Sequence, residues 1–192
     1  MDPRHVVAWT RHRWPWLWFA IGGALAIGTG ALVLEPSRDS FGAQPKGDFD
    51  IVVFARHEDR IEQLDRFNRW VYPGERVRFV LTGTPEDHRQ VIVGSVDAKA
   101  QVSIYFPYGG TASATLPGPG RWEVPGSIEL DETLGPERVF VFFSKKPLLA
   151  TDVEQALLAL GKQGPNAIRD ARTVDVAGTV QRSFLMMKRS KP

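Results

Sequence analysis

The feature that most constrains this chain is an uncharged run near its start, WPWLWFAIGGALAIGTGALVL, at residues 14–34. The run is 21 residues long. An α-helix rises ~1.5 Å per residue, so about 20 apolar residues cross the ~30 Å hydrocarbon core of a bilayer. The run therefore predicts a single transmembrane helix, with the remaining fold built outside the bilayer.

Basic residues around this run predict its orientation. Three of them precede it and only two follow it closely: Arg4, Arg11 and Arg13, then Arg38 and Lys46. Because basic flanks stay in the cytoplasm, residues 1–13 are predicted to be a cytoplasmic segment of an inner-membrane protein. The domain that follows is then extracytoplasmic, which in a two-membrane envelope means periplasmic.

A cleaved signal peptide is the alternative for the same run, with Thr29 and Ala31 as small residues before a cut. Signal peptides have apolar regions of about 7–15 residues, so the length favours a retained anchor over cleavage. Small residues also recur at four-residue spacing within the run, as at Ala20, Ala24 and Gly28. Such spacing permits self-association through the transmembrane helix.

Composition limits what the rest of the chain can be. Residues 35–47 are polar and contain Pro, Gly and Ser, so they predict a linker before a domain at residues 48–192. That domain carries 19 basic and 19 acidic side chains, which argues against a nucleic-acid-binding surface. The chain has no cysteine, which excludes disulfides, thiol catalysis and cysteine-bound zinc.

The first half of the domain has the pattern of β-strands at residues 50–56, 75–83, 89–97 and 101–107. Val77, Phe79 and Leu81 alternate with more polar neighbours, as expected for a strand with one buried face. YPGE at residues 72–75 predicts a turn, and DAKA at residues 97–100 predicts a hairpin connection. A mainly β, sandwich-like domain follows from this pattern.

The stretch VPGSIELDETLGPERVFVFFS, at residues 124–144, combines acids with Pro-Gly turns. Pro125 and Gly126 suit a type II turn, and the apolar run at residues 139–143 predicts a strand buried on both faces. We interpret the whole stretch as a hairpin. Ser127 lacks the Gly-x-Ser-x-Gly frame of a catalytic nucleophile, and neighbours Asp131 and Glu132 would point to opposite faces of a strand.

One helix is predicted in the C-terminal half. Thr151 and Glu154 have capping-box spacing, and an apolar stripe predicted to face the core follows: Val153, Ala156, Leu157 and Leu160. Gly161 or Gly164 would end the helix, with Pro165 blocking continuation. Residues 173–187 return to strand character with a break at Gly178, and the final KRSKP is interpreted as a solvated basic tail.

The glycine-rich stretch at residues 108–121 matches neither a P-loop nor a dinucleotide-binding motif, so it predicts a surface loop with few apolar groups to bury. Binding residues favour loops on rigid scaffolds, so four residues there are candidate partner contacts: Tyr108, Gly109, Gly110 and Trp122. Trp122 could instead close the core.

Groups suited to catalysis or metal binding are sparse. His57 and Asp59 could share a strand face as metal ligands, but zinc normally takes three or four protein ligands. We therefore predict no metal, no cofactor and no catalytic residues.

Several segments together resemble a family of bacterial extracytoplasmic domains of unknown function. Its members occur in membrane-anchored envelope proteins and beside caspase-like peptidases or signalling modules, notably in myxobacteria. The matching segments are VYPGERVRF (71–79), VIVGSVDAKAQVSIYFP (91–107), VPGSIELDETLGPERVFVFFSKKPL (124–148) and VQRSFLMMK (180–188). The resemblance covers residues 48–190, although the turn at residues 97–100 lacks the family's usual glycine.

This resemblance implies a β-sandwich-like module that serves an envelope system as an accessory or sensory part, with no catalytic residues to carry over. We accordingly expect a non-catalytic, single-pass envelope protein whose domain binds a protein partner. The alternatives are an envelope hydrolase with an unrecognised acid or histidine site, and a structural subunit of a membrane assembly.

Overall fold

The computed structural model describes residues 49–85 and 87–191. The predicted transmembrane helix at residues 14–34 and the linker at residues 35–47 lie outside the described residues. Within the described residues, no helix is long and apolar enough to cross a membrane.

The described strands form two sheets, which confirms the mainly β, sandwich-like prediction. The strands of sheet one are β1 (Asp50–His57), β2 (Arg60–Leu64), β4 (Arg76–Thr82), β8 (Trp122–Glu123) and β9 (Ile128–Glu129). Their order is β2-β1-β4-β8, and β9 also pairs with β4.

The strands of sheet two are β3 (Trp70–Val71), β5 (Gln90–Asp97), β6 (Val102–Phe106), β7 (Ala114–Thr115), β10 (Gly135–Ser144) and β11 (Thr179–Lys188). Their order is β3-β11-β10-β5-β6, and β7 also pairs with β5.

Alternating side chains explain how sheet one faces sheet two. Val77, Phe79 and Leu81 on β4 are buried, whereas Arg76 and Arg78 are exposed, as the sequence predicts. The buried side chains of both sheets form the inter-sheet core. From sheet one it includes Val53 on β1 and Phe79 on β4. From sheet two it includes Val93 on β5, and Val141 and Phe143 on β10.

A second core, the helix-side core, covers the opposite face of sheet two. Helices α1 (Ala150–Gly161) and α2 (Pro165–Asp170) lie there. Its buried members are Ile92, Val96, Phe140, Phe142, Val153, Leu157, Leu160 and Ile168. Strand β10 contributes to both cores, which confirms the prediction of burial on both faces for its apolar run.

The helices differ in part from the prediction. The apolar stripe of α1 faces the core as predicted, but the helix begins at Ala150, and Leu149 precedes it without a side-chain cap. The capping box between Thr151 and Glu154 is therefore wrong. Helix α2 was not predicted. Pro165 starts it, because proline fixes φ near the helical value and needs no partner for a missing N–H in the first turn.

The hairpin predicted at residues 124–144 is also wrong. Strand β9 pairs with β4 in sheet one, whereas β10 pairs with β5 and β11 in sheet two. Residues 130–134, which we call the crossover segment, carry the chain between the sheets. A strand as apolar as β10 must be covered on both faces, and a central position in sheet two provides that cover. The turn at Gly126 is as predicted, with a φ of 89°.

Two further expectations are corrected by burial. Residues 114–116 are not a separate surface loop, because β7 pairs with β5 and Leu116 is fully buried in the inter-sheet core. Lys188, predicted to begin a solvated tail, is the last residue of β11 and is buried. Of the strand predicted over residues 173–187, only the part from Thr179 onward forms, so Gly178 lies in a turn before β11 and does not break a strand.

The hairpin connection at residues 97–100 is confirmed without a glycine. Strands β5 and β6 pair in antiparallel fashion around it. Asp97 Oδ1 accepts the backbone N–H groups of Lys99 and Gln101 at 2.9 and 2.8 Å. Ala100 adopts a φ of 62°, a conformation that usually favours glycine, so the carboxylate of Asp97 supports the turn instead.

Candidate ligand-binding pocket

The four residues predicted to contact a partner are divided by the structure. Tyr108 is 92% exposed and Gly109 is exposed, while Gly110 is half-buried. Trp122 packs against the inter-sheet core, with its ring centroid 4.9 Å from that of Phe106 in an edge-on arrangement. Trp122 therefore helps to close the core, and the contact role of the other three stays a prediction.

A more elaborate site lies where β1, β3 and the end of β11 meet. We call it the His57 pocket; its volume is about 560 Å³. Its lining combines aromatic rings with charges of both signs. The lining residues are His57, Glu58, Arg60, Glu62, Asn68, Trp70, Tyr72, Glu75, Arg189 and Lys191. Such a mixture suits a ligand that offers both apolar and hydrogen-bonding groups.

The inner wall of this pocket is an ordered hydrogen-bond arrangement around Glu75, which is 7% exposed. Glu75 Oε1 lies 2.8 Å from Nδ1 of His57, and Oε2 accepts the backbone N–H of Tyr72 at 2.9 Å. The backbone N–H of Glu75 in turn donates to the Tyr72 carbonyl at 3.1 Å, which closes the predicted turn. Glu75 thus fixes the turn and the imidazole together.

The rim carries a stack of one cation and two aromatic rings. The guanidinium of Arg189 lies 4.9 Å from the Trp70 ring centroid and 5.3 Å from that of Tyr72. Its Nη2 donates to the Tyr72 hydroxyl at 2.8 Å. Parallel pairing of β3 with β11 sets this stack, because Met187 is the register partner of Trp70. Arginine and aromatic residues are the types enriched at protein interfaces.

His57 and Asp59, which could have shared a strand face as metal ligands, contact different partners. Asp59 is solvent-exposed and its carboxylate lies 3.8 Å from Arg56. The Nε2 atom of His57 instead faces Glu62, with 3.6 Å between Nε2 and Oε2. Among the described residues, no group of three or more His, Cys, Asp or Glu side chains is placed to hold a metal ion.

Sequence reasoning missed most of this pocket. One signal was present, because Trp70 and Tyr72 flank Val71 in an alternating pattern that places two aromatic rings on one face of an extended chain. Arg189 gave no such signal, since only the pairing of β3 with β11 brings it within reach of residues far away in the sequence.

Comparisons with known proteins add no family to this description. No family model matches the sequence, and neither curated proteins nor solved structures gave a significant match.

Proposed function

We propose that this chain is a non-catalytic, single-pass envelope protein whose β-rich domain binds a partner protein. The partner's extended segment lies along β2 and places side chains in the His57 pocket. Residues 14–34 supply the anchor in this proposal, and the resemblance to envelope-associated domains supports the same location.

The observation that carries the binding role is the edge of sheet one. In the described part of the chain, β2 pairs with β1 and has no strand on its outer side. An open edge offers backbone N–H and C=O groups that an incoming strand can pair with. Three large apolar residues between the start of β2 and the start of β3 are exposed, namely Ile61, Phe67 and Trp70. Arg60 and Glu62 of β2 line the His57 pocket, so the edge leads into that pocket.

Site-specific photo-crosslinking of the full-length chain in intact cells tests this surface. A photoreactive amino acid replaces Ile61 or Phe67 in the test arms, and Leu158, an exposed residue on α1, in the control arm. We expect a discrete protein adduct from the two test positions and none from position 158. The adduct at position 61 should weaken when Trp70→Ala and Arg189→Ala are combined.

A third arm places the same probe at Tyr108, the contact predicted from sequence. Adducts from position 108 but not from positions 61 and 67 would move the binding surface to the glycine-rich stretch. Adducts that form equally at position 158 would show non-specific proximity and contradict the proposal.

The membrane anchor has its own test. Reporter fusions after residue 45 and at the C-terminus should both behave as extracytoplasmic. Recovery of a soluble mature chain that begins near residue 32 would show cleavage and remove the anchor from the proposal.

A hydrolase is the second candidate, and the His57–Glu75 pair favours it. A buried carboxylate that orients an imidazole is part of the usual activation of a nucleophile. However, the described lining of the pocket contains no serine, threonine or cysteine. Screening the purified full-length chain against ester and peptide substrates tests this candidate, and any turnover should be lost in His57→Asn.

A further inference from the structure

A second polar cluster lies inside the domain, between the two sheets, and is independent of the proposed function. Lys188 ends β11, and its side chain is 1% exposed. Glu137, on the neighbouring strand β10, has a side chain that is 4% exposed. Burying charged groups is costly unless they are paired, so the arrangement around these two residues needs a reason.

The ammonium of Lys188 faces two carboxylates. Its Nζ atom lies 2.5 Å from Oδ1 of Asp131 and 2.8 Å from Oε2 of Glu137. Asp131 belongs to the crossover segment, and its side chain is 47% exposed. The same Oδ1 atom accepts the backbone N–H of Thr133 at 2.9 Å, which holds the carboxylate in place.

Glu137 is held equally firmly from its other side. Its Oε1 atom lies 2.7 Å from the hydroxyl of Ser95 and accepts a hydrogen bond from the hydroxyl of Tyr105. Burial, the charge of Glu137 and the hydrogen bond to it raise the pKa of Tyr105, so this phenol stays a proton donor. These bonds hold the carboxylate so that its other oxygen, Oε2, faces Lys188.

We propose that Lys188 and Asp131 condense to form an amide crosslink, with Glu137 carrying protons between the reacting groups. Lys188 Nζ gives one proton to Oε2 of Glu137, and Glu137 passes a proton on to the Asp131 carboxylate, so that a neutral amine meets a neutral carboxylic acid. The nitrogen lone pair then attacks Cγ of Asp131. A C–N bond forms, and one C–O bond of Asp131 breaks. Of the three ammonium protons, one stays on the amide nitrogen and two leave with the departing oxygen as water. Glu137 ends as it began, and no oxidant or cofactor is consumed.

Three features of the site support this chemistry. The attacking nitrogen already lies 2.5 Å from Oδ1 of the carboxyl group that it would attack, which removes most of the entropic cost of a bimolecular step. A buried carboxylate touches the attacking nitrogen and can serve as base and then acid. Condensation also removes the charges of Lys188 and Asp131, and the new amide N–H can donate to the Glu137 carboxylate, which stays buried.

The pKa of Lys188 bears on how fast the crosslink can form. Burial lowers the pKa of Lys188, but the charges and hydrogen bonds of Glu137 and Asp131 outweigh burial, and the pKa is raised above its ordinary value. The resting state is therefore an ion pair, and the reaction waits for transfer of a proton to Glu137. We accordingly expect the crosslink to form slowly after folding.

The intact mass of the purified full-length chain tests the proposal directly. After overnight incubation and denaturation, the wild-type chain should be one water lighter than its sequence requires. Trypsin should then release residues 122–138 joined to residues 183–189, because an acylated Lys188 is no longer cleaved. A wild-type chain at its unmodified mass would overturn the proposal.

Variants assign the bond to particular atoms. Asp131→Ala and Lys188→Arg should each restore the full sequence mass, and Glu137→Gln should slow or abolish the loss of water. Asp131 is half-exposed, so Asp131→Ala should keep the fold, which circular dichroism can verify. A loss of water that persists in Asp131→Ala would place the bond elsewhere and contradict the assignment.

A surface pair provides the matched control. Lys145 lies 3.6 Å from Asp87, and both side chains are exposed, so a lysine and an aspartate meet there in water. Asp87→Ala should leave the loss of water unchanged. Loss of the mass difference in this control would show that the modification is not at Lys188.

Discussion

Gly161, the last residue of α1, lies so close to Ala100 that no side chain fits between them. A Cβ atom at position 161 would be 2.7 Å from Cβ and 2.9 Å from Cα of Ala100. Ala100 is in the turn between β5 and β6, so this contact seats the end of the helix on the edge of sheet two. The missing side chain at position 161 lets the helix approach the turn.

Gly161→Ala should therefore destabilise the domain by about 1–3 kcal/mol, the usual range for overpacking a rigid site. Chemical denaturation measures the loss. Gly118→Ala is the matched control, because a Cβ at position 118 would meet no atom within 4 Å. Equal stability of the two variants would show that the helix end can shift without cost.

The contrast between Phe142 and Ser127 tests the structural interpretation of residues 124–144. Phe142 is fully buried in the helix-side core, so Phe142→Ala should cost about 3–5 kcal/mol of unfolding free energy. Ser127 is exposed, and Ser127→Ala should change stability by no more than about 0.5 kcal/mol. Thermal and urea unfolding of both variants provide the comparison. A large loss in Ser127→Ala would point to a role that its position does not show.

Arg138 holds the end of α2 to sheet two. Its buried guanidinium donates to the carbonyls of Ile168 and Arg169 and to the hydroxyl of Ser183. Burial, together with the nearby charges of Arg172 and Arg69, lowers the pKa of Arg138 to about 10, so the group remains protonated at neutral pH.

Arg138→Met should keep the volume but leave these acceptors unpaired, at a cost of about 2–4 kcal/mol. The control is Arg76→Met, an exposed arginine 3.4 Å from Glu129, which should cost at most about 1 kcal/mol. Urea unfolding compares the two. If Arg138→Met were as stable as the control, the guanidinium would contribute little to holding α2.

Tyr105 should make the domain sensitive to alkali. Burial and the charge of Glu137 raise the pKa of its phenol, whereas an unfolded tyrosine ionises near pH ~10. Above that pH the folded chain binds one more proton than the unfolded chain, so stability falls as pH rises. Unfolding measured across this range should show a shallower decline in Tyr105→Phe. Identical slopes would mean that the phenol ionises normally in the folded chain.

The strands of this domain could be predicted because their signals are local. Alternation at Val77, Phe79 and Leu81 marks a half-buried strand wherever that strand pairs, and the turn at residues 97–100 joins neighbours in the chain. The partner of β9 could not be predicted in this way. Strand β9 pairs with β4, although β10 is nearer in the sequence, because β10 lies between β5 and β11 in the other sheet. Short stretches of sequence do not contain information about such distant pairings.

The candidate sites were less predictable still. The His57 pocket brings residues 57–75 together with Arg189 and Lys191, which are more distant in the sequence than any local pattern can reach. Its one local signal is the alternation around Val71. Lys188 looked like the start of a basic tail because it is followed by Arg189 and Lys191, yet it is drawn inside by Glu137 on the adjacent strand. Charge patterns in a sequence indicate solvation only when no buried partner is available.

Strand β10 has a consequence for how this domain opens. Val139, Val141 and Phe143 pack in the inter-sheet core and Phe140 and Phe142 in the helix-side core, so opening either layer would uncover one apolar face of this strand. The amide hydrogens of β10 should thus exchange with solvent only through global unfolding, at the same free energy as those of β5 and β11 beside it. An unfoldase or protease would meet a single barrier, with no partly opened form that exposes the helices alone.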